Sequence, residues 1–118
     1  MSLLATLLIA LIALLHVYFL VLEMFLWEKP AGLRAFRQTK ESAAATRVLA
    51  ANQGLYNGFL AAGLFWGVSL GAAGHDIKVF FLCCVLIAGI YGAYSAAKKI
   101  LYIQALPALI ALLLLSLS

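Results

Sequence analysis

An all-α fold, an integral-membrane bundle of four spanning helices, is the class this sequence predicts, and three observations predict it. The 118 residues are 67% hydrophobic and 10% charged, with a mean hydropathy of +1.13; this excludes a disordered chain and an ordinary soluble domain. The apolar residues gather in four stretches, each near the length of about 20 residues that crosses the hydrocarbon core. Polar side chains recur inside the first three, at His16, Glu23, Arg47, Asn52, Gln53, Asn57, Tyr91 and Tyr94. Most fall in the half nearer one membrane face, while the opposite half is almost wholly Leu, Ile, Val and Ala. A single domain over residues 1–118 is expected.

Span one covers about 3–27 and ends at Trp27, Glu28, Lys29 and Pro30, with Trp27 at interface height. No basic residue precedes its apolar run, which is longer than a signal-peptide core, so it reads as a retained helix. Residues 29–41 form the substantially polar loop, with Lys29, Arg34, Arg37 and Lys40. Span two begins near Ser42, read as its N-cap, and continues to about 70. A short turn over 71–76 leads into span three, about 77–97, which closes on Lys98 and Lys99. Span four covers 100–118, with a kink expected at Pro107. Cys83 and Cys84 match no metal-ligand spacing and read as small packing residues; no metal is expected and no cofactor is specified.

Seven of the eight Lys and Arg lie in loop one, at Arg47 beside it, or in loop three, and the eighth is Lys78 by loop two. The positive-inside rule then predicts a multi-pass protein of the inner (cytoplasmic) membrane, with loops one and three in the cytoplasm and both termini outside. Basic charge distributed this way points to membrane orientation and not to nucleic acid.

The polar layer is read residue by residue. Glu23 and Arg47 each lie about five residues inside the cytoplasmic end of their spans, and at about 1.5 Å per residue they are level. Opposite charges at one depth predict an ion pair; the alternatives make Glu23 a proton acceptor or Arg47 an anion clamp. His16 precedes Glu23 by two helical turns and shares its face, whereas Tyr18 points elsewhere. His16 is either a neutral cross-helix hydrogen-bonding group or a functional one, and no second ligand set supports a metal or haem. In span two, Asn52, Gln53, Tyr56 and Asn57 fall on one face about 140° wide. Gly54, Gly58 and Ala61 form a separate stripe, and Gly63, Gly67 and Gly71 repeat the spacing, which permits close helix approach. Tyr91, Tyr94 and Lys98 share a face of span three. The candidate ligand contacts are therefore Arg47, Asn52, Gln53, Tyr56, Asn57 and Tyr94, and the candidate catalytic groups are His16, Glu23 and Tyr91.

Two long motifs in order, H-x-Y-x-L-V-L-E-M-F-L-W from His16 and R-V-L-A-A-N-Q-G-L-Y-N-G-F-L-A-A-G-L from Arg47, resemble the domain-of-unknown-function family thirteen-zero-four over essentially the whole chain. That resemblance implies small bacterial membrane proteins without an assigned activity. The segment R-V-x-x-A-N-Q and the tyrosine-rich end of span three are also similar to the MAPEG superfamily, four-helix trimers with a polar site between subunits in the cytoplasmic half. This second likeness implies a trimer, and places Asn52 and Asn57 among residues that contact glutathione. It departs at Ala50 and Gly54, where those enzymes tend to carry arginine and asparagine, and span four has no counterpart of their catalytic arginine.

Three functions compete on these residues. A pocket in the cytoplasmic half would bind, or act as an enzyme on, an amphiphile whose tail lies in the bilayer. Small multidrug exporters share the length, four spans and a glutamate in the first, which would make Glu23 a proton-exchange site. In a non-catalytic scaffold the polar layer would serve assembly. The small-residue stripes favour a homo-oligomer under all three.

Overall fold

Six α-helices and no strand form among residues 2–117, which the computed structural model describes. In chain order they are α1 (Leu3–Met24), α2 (Pro30–Ala35), α3 (Lys40–Ala45), α4 (Arg47–Ser69), α5 (His75–Ser95) and α6 (Leu106–Ser116). A 3₁₀ turn over Gly71–Gly74 precedes α5, and a π-helical segment over Leu101–Ala105 precedes α6. The all-α class is the one expected. The helices form two compact units, Met1–Leu14 with Leu60–Ser118, and Leu15–Phe59, so that α1 and α4 contribute to both.

In the first unit, Ala5, Ile9, Ile12 and Ala13 of α1, Ala61 and Leu64 of α4, Leu82 and Val85 of α5, and Ala108, Ala111 and Leu115 of α6 form one buried apolar cluster. Small residues let these helices approach. A Cβ added at Gly63 would lie 2.4 Å from the Phe81 ring, and one at Gly89 would lie 2.5 Å from the Ala105 backbone. A Cβ added at Gly74 would collide with the Gly67 carbonyl. Gly63 and Gly67 of α4 are thus covered by α5 of the same chain. Gly71 adopts φ +60°, the left-handed conformation in which only glycine escapes a Cβ clash, and this ends α4. Lys78 is fully buried; its stem packs on Gly67 and its Nζ donates to the Gly71 carbonyl at 2.7 Å.

Pro107 does not simply kink a continuous helix. The π-helical segment immediately precedes it, a wider turn of the kind that accommodates a missing backbone N–H. Lys98 also departs from expectation, because α5 ends at Ser95 and Ala96 leaves helical geometry at φ −126°, ψ −72°. It therefore does not continue the Tyr91 and Tyr94 face.

The second unit corrects the reading of loop one and of the start of span two. Span one stops at Met24 rather than Trp27, and Phe25 and Leu26 both donate to the Val21 carbonyl as the helix unwinds. Ser42 is not an N-cap. That position belongs to Thr39, extended at φ −81°, ψ 163°, whose side chain accepts from the Ser42 N–H, as capping requires. A break at Thr46 then separates α3 from α4. Its cause is local: the Ala43 carbonyl, which an uninterrupted helix would offer to Arg47 N–H, accepts from Trp27 Nε1 and from Thr46 N–H. Trp27, Ala43 and Ala50 form a small buried cluster with Leu33 against it, and Phe36 stacks on Trp27 at 4.9 Å. Loop one is therefore a folded element anchored on a tryptophan.

Two stretches are long and apolar enough to cross a membrane by length and composition, Leu3–Met24 and Gly71–Ser95, with hydropathies of 2.6 and 2.0. Leu101–Ser116 is apolar but shorter, and α4 carries Asn52, Gln53 and Asn57 in its first half.

Candidate functional site

In the second unit α1 and α4 run antiparallel, with their register set by two glycines. A Cβ at Gly54 would meet Met24 and Glu23, and one at Gly58 would meet Leu20. This approach brings Asn57 to Glu23, and the Asn57 Nδ2 donates to Glu23 Oε1. Both side chains are half-buried. Among the described residues no buried side-chain N or O lacks a hydrogen-bond partner. The Glu23 oxygen not bonded to Asn57 therefore reaches the protein surface.

The expected ion pair of Glu23 with Arg47 does not form. Arg47 lies 3.7 Å from Glu28, and both side chains are exposed. The reason is register. With Asn57 level with Glu23, Arg47 lies ten residues further along α4, about 15 Å at 1.5 Å per residue, and so beyond the end of α1. Counting depth from Ser42 had placed Arg47 too deep, because α3 and the break at Thr46 precede α4.

The remaining residues of the amide face divide. Asn52 and Gln53 are exposed, as is Tyr56, and the Asn52 amide donates to the Val48 carbonyl of its own helix at 3.1 Å. Asn57 alone of the four turns towards α1. His16 is fully buried, edge-on to Phe19 with ring centroids 5.4 Å apart. Tyr91 and Tyr94, in the first unit, are 67% and 89% exposed and line a shallow groove with Ile87 and Ile90 that is almost wholly apolar. Sequence reasoning passed over Glu28 as Arg47's partner and Tyr18 as a lining residue of a second groove; the cue for Glu28 was an acid at the helix end, level with the loop cations.

The family described as a protein of unknown function, DUF1304, matches residues 10–116 of this chain. The chain belongs to this family. It is similar to the uncharacterized protein YpaA of Lactococcus lactis subsp. lactis (strain IL1403), 30% identical over 115 residues that cover 96% of this chain and 97% of that one. No solved structure matches. The MAPEG likeness is not carried by these matches. Family membership brings no assigned reaction, so the chemistry of the Glu23–Asn57 pair is argued from its geometry: a carboxylate fixed by a neutral amide, with one oxygen left to accept from a ligand.

Proposed function

We propose that this protein is a multi-pass, four-helix protein of the inner membrane that holds an amphiphilic small molecule by its polar group at Glu23 and Asn57, in the cytoplasmic half of the bilayer. The membrane reading is supported by exposure. Only 28% and 22% of the two strongly apolar windows is buried, whereas the core helix of a soluble protein is mostly buried. Large side chains such as Leu7, Leu11, Phe25, Phe80 and Ile87 are exposed, which suits lipid and not water. Orientation follows the basic residues. Lys78, the one cation by loop two, is drawn into the structure by the Gly71 carbonyl, so the bias towards loops one and three is sharper than the sequence suggested.

The observation that carries the ligand reading is the Glu23–Asn57 hydrogen bond. An intramembrane carboxylate is costly unless partnered or functional, and here its partner is an amide that leaves the charge uncompensated. An ammonium or hydroxyl on the ligand would donate to the second oxygen, with Gln53 and Tyr56 as further polar contacts on α4. The geometry supports binding and carries no particular reaction; the acid–base roles read for His16 and Tyr91 are not part of this proposal. A homo-oligomer, trimeric by analogy with MAPEG proteins, accompanies it only as an analogy of fold.

Native mass spectrometry of the detergent-extracted protein tests this. Wild type should retain a small amphiphile, and Glu23→Gln and Asn57→Ala should each retain about tenfold less, the size of one charge-assisted hydrogen bond. Arg47→Ala should behave as wild type. Equal retention by all four proteins would sink the reading.

The same geometry favours one second function, proton-coupled export. A carboxylate without a cationic partner takes up and releases a proton without breaking an ion pair. Substrate-driven proton movement in proteoliposomes, abolished by Glu23→Gln and kept by Arg47→Ala, would select export over simple binding.

A further inference from the structure

A groove of about 380 Å³ lies in the second unit between α1 and α2, lined by Tyr18, Ala31, Arg34 and Ala35. It is shallow and open, with Tyr18 and Arg34 offering polar groups and Ala31 and Ala35 an apolar wall. Neither the Arg34 guanidinium nor the Tyr18 hydroxyl takes part in an ion pair or hydrogen bond among the described residues, although Tyr18 is 54% exposed on a helix that otherwise presents aliphatic side chains. Five of the chain's eight Lys and Arg fall between Lys29 and Arg47, against Glu41 alone. Of those five, only Arg47 is paired. Beside the groove, Tyr18 and Val21 stand at i and i+3 on one face of α1, and both are exposed.

We propose that this groove is a binding site for an anionic phospholipid of the membrane's own bilayer, with the phosphate held by Arg34 and Tyr18. A guanidinium presents paired donors that match two phosphate oxygens, and the phenol supplies a further donor. Ala31 and Ala35 form an apolar wall for the glycerol region and the start of an acyl chain. Lys29, Arg37 and Lys40 raise the local concentration of anionic lipid, as juxtamembrane cations do. A free phosphate would satisfy Arg34 but leave the apolar half of the groove wet, so the occupant carries both a charge and a chain. The site is separate from Glu23, whose position on α1 is about 140° around the helix from Tyr18 at about 100° per residue. The inference rests on the reading of α1 as a membrane span.

The test uses the full chain in nanodiscs of mixed phosphatidylglycerol and phosphatidylcholine, released into native mass spectrometry. Wild type should retain phosphatidylglycerol preferentially, and Arg34→Gln should lower that preference about tenfold, one charge-assisted hydrogen bond's worth. Tyr18→Phe should lower it less, and Lys99→Gln, which removes a similar charge from loop three, should leave it unchanged. An equal loss in Arg34→Gln and Lys99→Gln would overturn the site, since only general charge would then be acting. Inorganic phosphate binding at Arg34 without any lipid preference would overturn it in favour of a soluble anion. Carbonate extraction from vesicles of the same lipid composition separates the two levels: release of wild type would overturn the spanning reading and this site together, while retention without lipid preference overturns the site alone.

Discussion

Lys78 illustrates how a single buried cationic side chain is made tolerable. Its ammonium donates to the Gly71 carbonyl, at the first residue of the 3₁₀ turn between α4 and α5, where the chain passes through a left-handed glycine. Its methylene stem lies on Gly67, where a side chain would collide with it. The lysine therefore ties α5 to the turn before it while its apolar part packs, the division expected of a long cationic side chain. Lys78→Met keeps the volume and removes a charge-assisted hydrogen bond, at a cost of about 1–3 kcal/mol. A lower melting temperature in detergent is expected; a variant as stable as wild type would show that water already serves the carbonyl. Glu23 presents the opposite case at the same scale. Its amide partner orients the carboxylate without neutralising it, which is why it is placed in the ligand site.

Among the elements, loop one departs furthest from its appearance as a polar connection. Trp27 donates to the Ala43 carbonyl at 3.1 Å and to Thr46 Oγ1 at 3.2 Å, and so determines where α3 stops and α4 starts. The close approach of Gly32 to the Leu26 and Trp27 carbonyls holds α2 against the end of α1. Arg37, at φ 52°, closes α2, with Gln38 N–H donating back to the Leu33 carbonyl, the bond pattern of a Schellman end. Trp27→Phe keeps an aromatic body and loses both hydrogen bonds. Amide hydrogen exchange in α2 and α3 should then quicken by about tenfold or more, as about 1–3 kcal/mol of local stability is removed. Unchanged protection in both helices would refute the anchoring role of the indole.

At the scale of the whole molecule the informative property is the uneven placement of charge. Cations gather in loop one and at Lys98 and Lys99, and Lys78 is withdrawn from the solvent by its backbone contact. In the proposed orientation, the 71–76 turn, nearly devoid of exposed positive charge, lies outside. Single cysteines at Ala44 and Ala73, in a chain with Cys83 and Cys84 replaced by alanine, provide the check. An impermeant thiol reagent should label Ala73→Cys in intact cells and Ala44→Cys only after lysis. The reverse pattern would invert the orientation and move the Glu23–Asn57 site to the outer half.

Composition and periodicity by themselves determined the all-α class, the polar character of the first half of α4 and, through two long motifs, the family. They also singled out Glu23 and Asn57, though not as partners. Those properties are local, because a hydropathy profile reports what each stretch prefers to contact and a 3.6-residue period reports which residues share a face. Which residues meet across helices was decided only by the tertiary structure. Glu23 was matched with Arg47 on depth counted from loop ends, and that count failed because Thr39 and Trp27 insert a separate short helix before α4. The register is set by Gly54 and Gly58 admitting the side chains of α1, and by a carbonyl at Ala43 already taken. Such contacts join residues more than thirty positions apart in the case of Glu23 and Asn57, and no one-dimensional pattern along either helix encodes the offset between them.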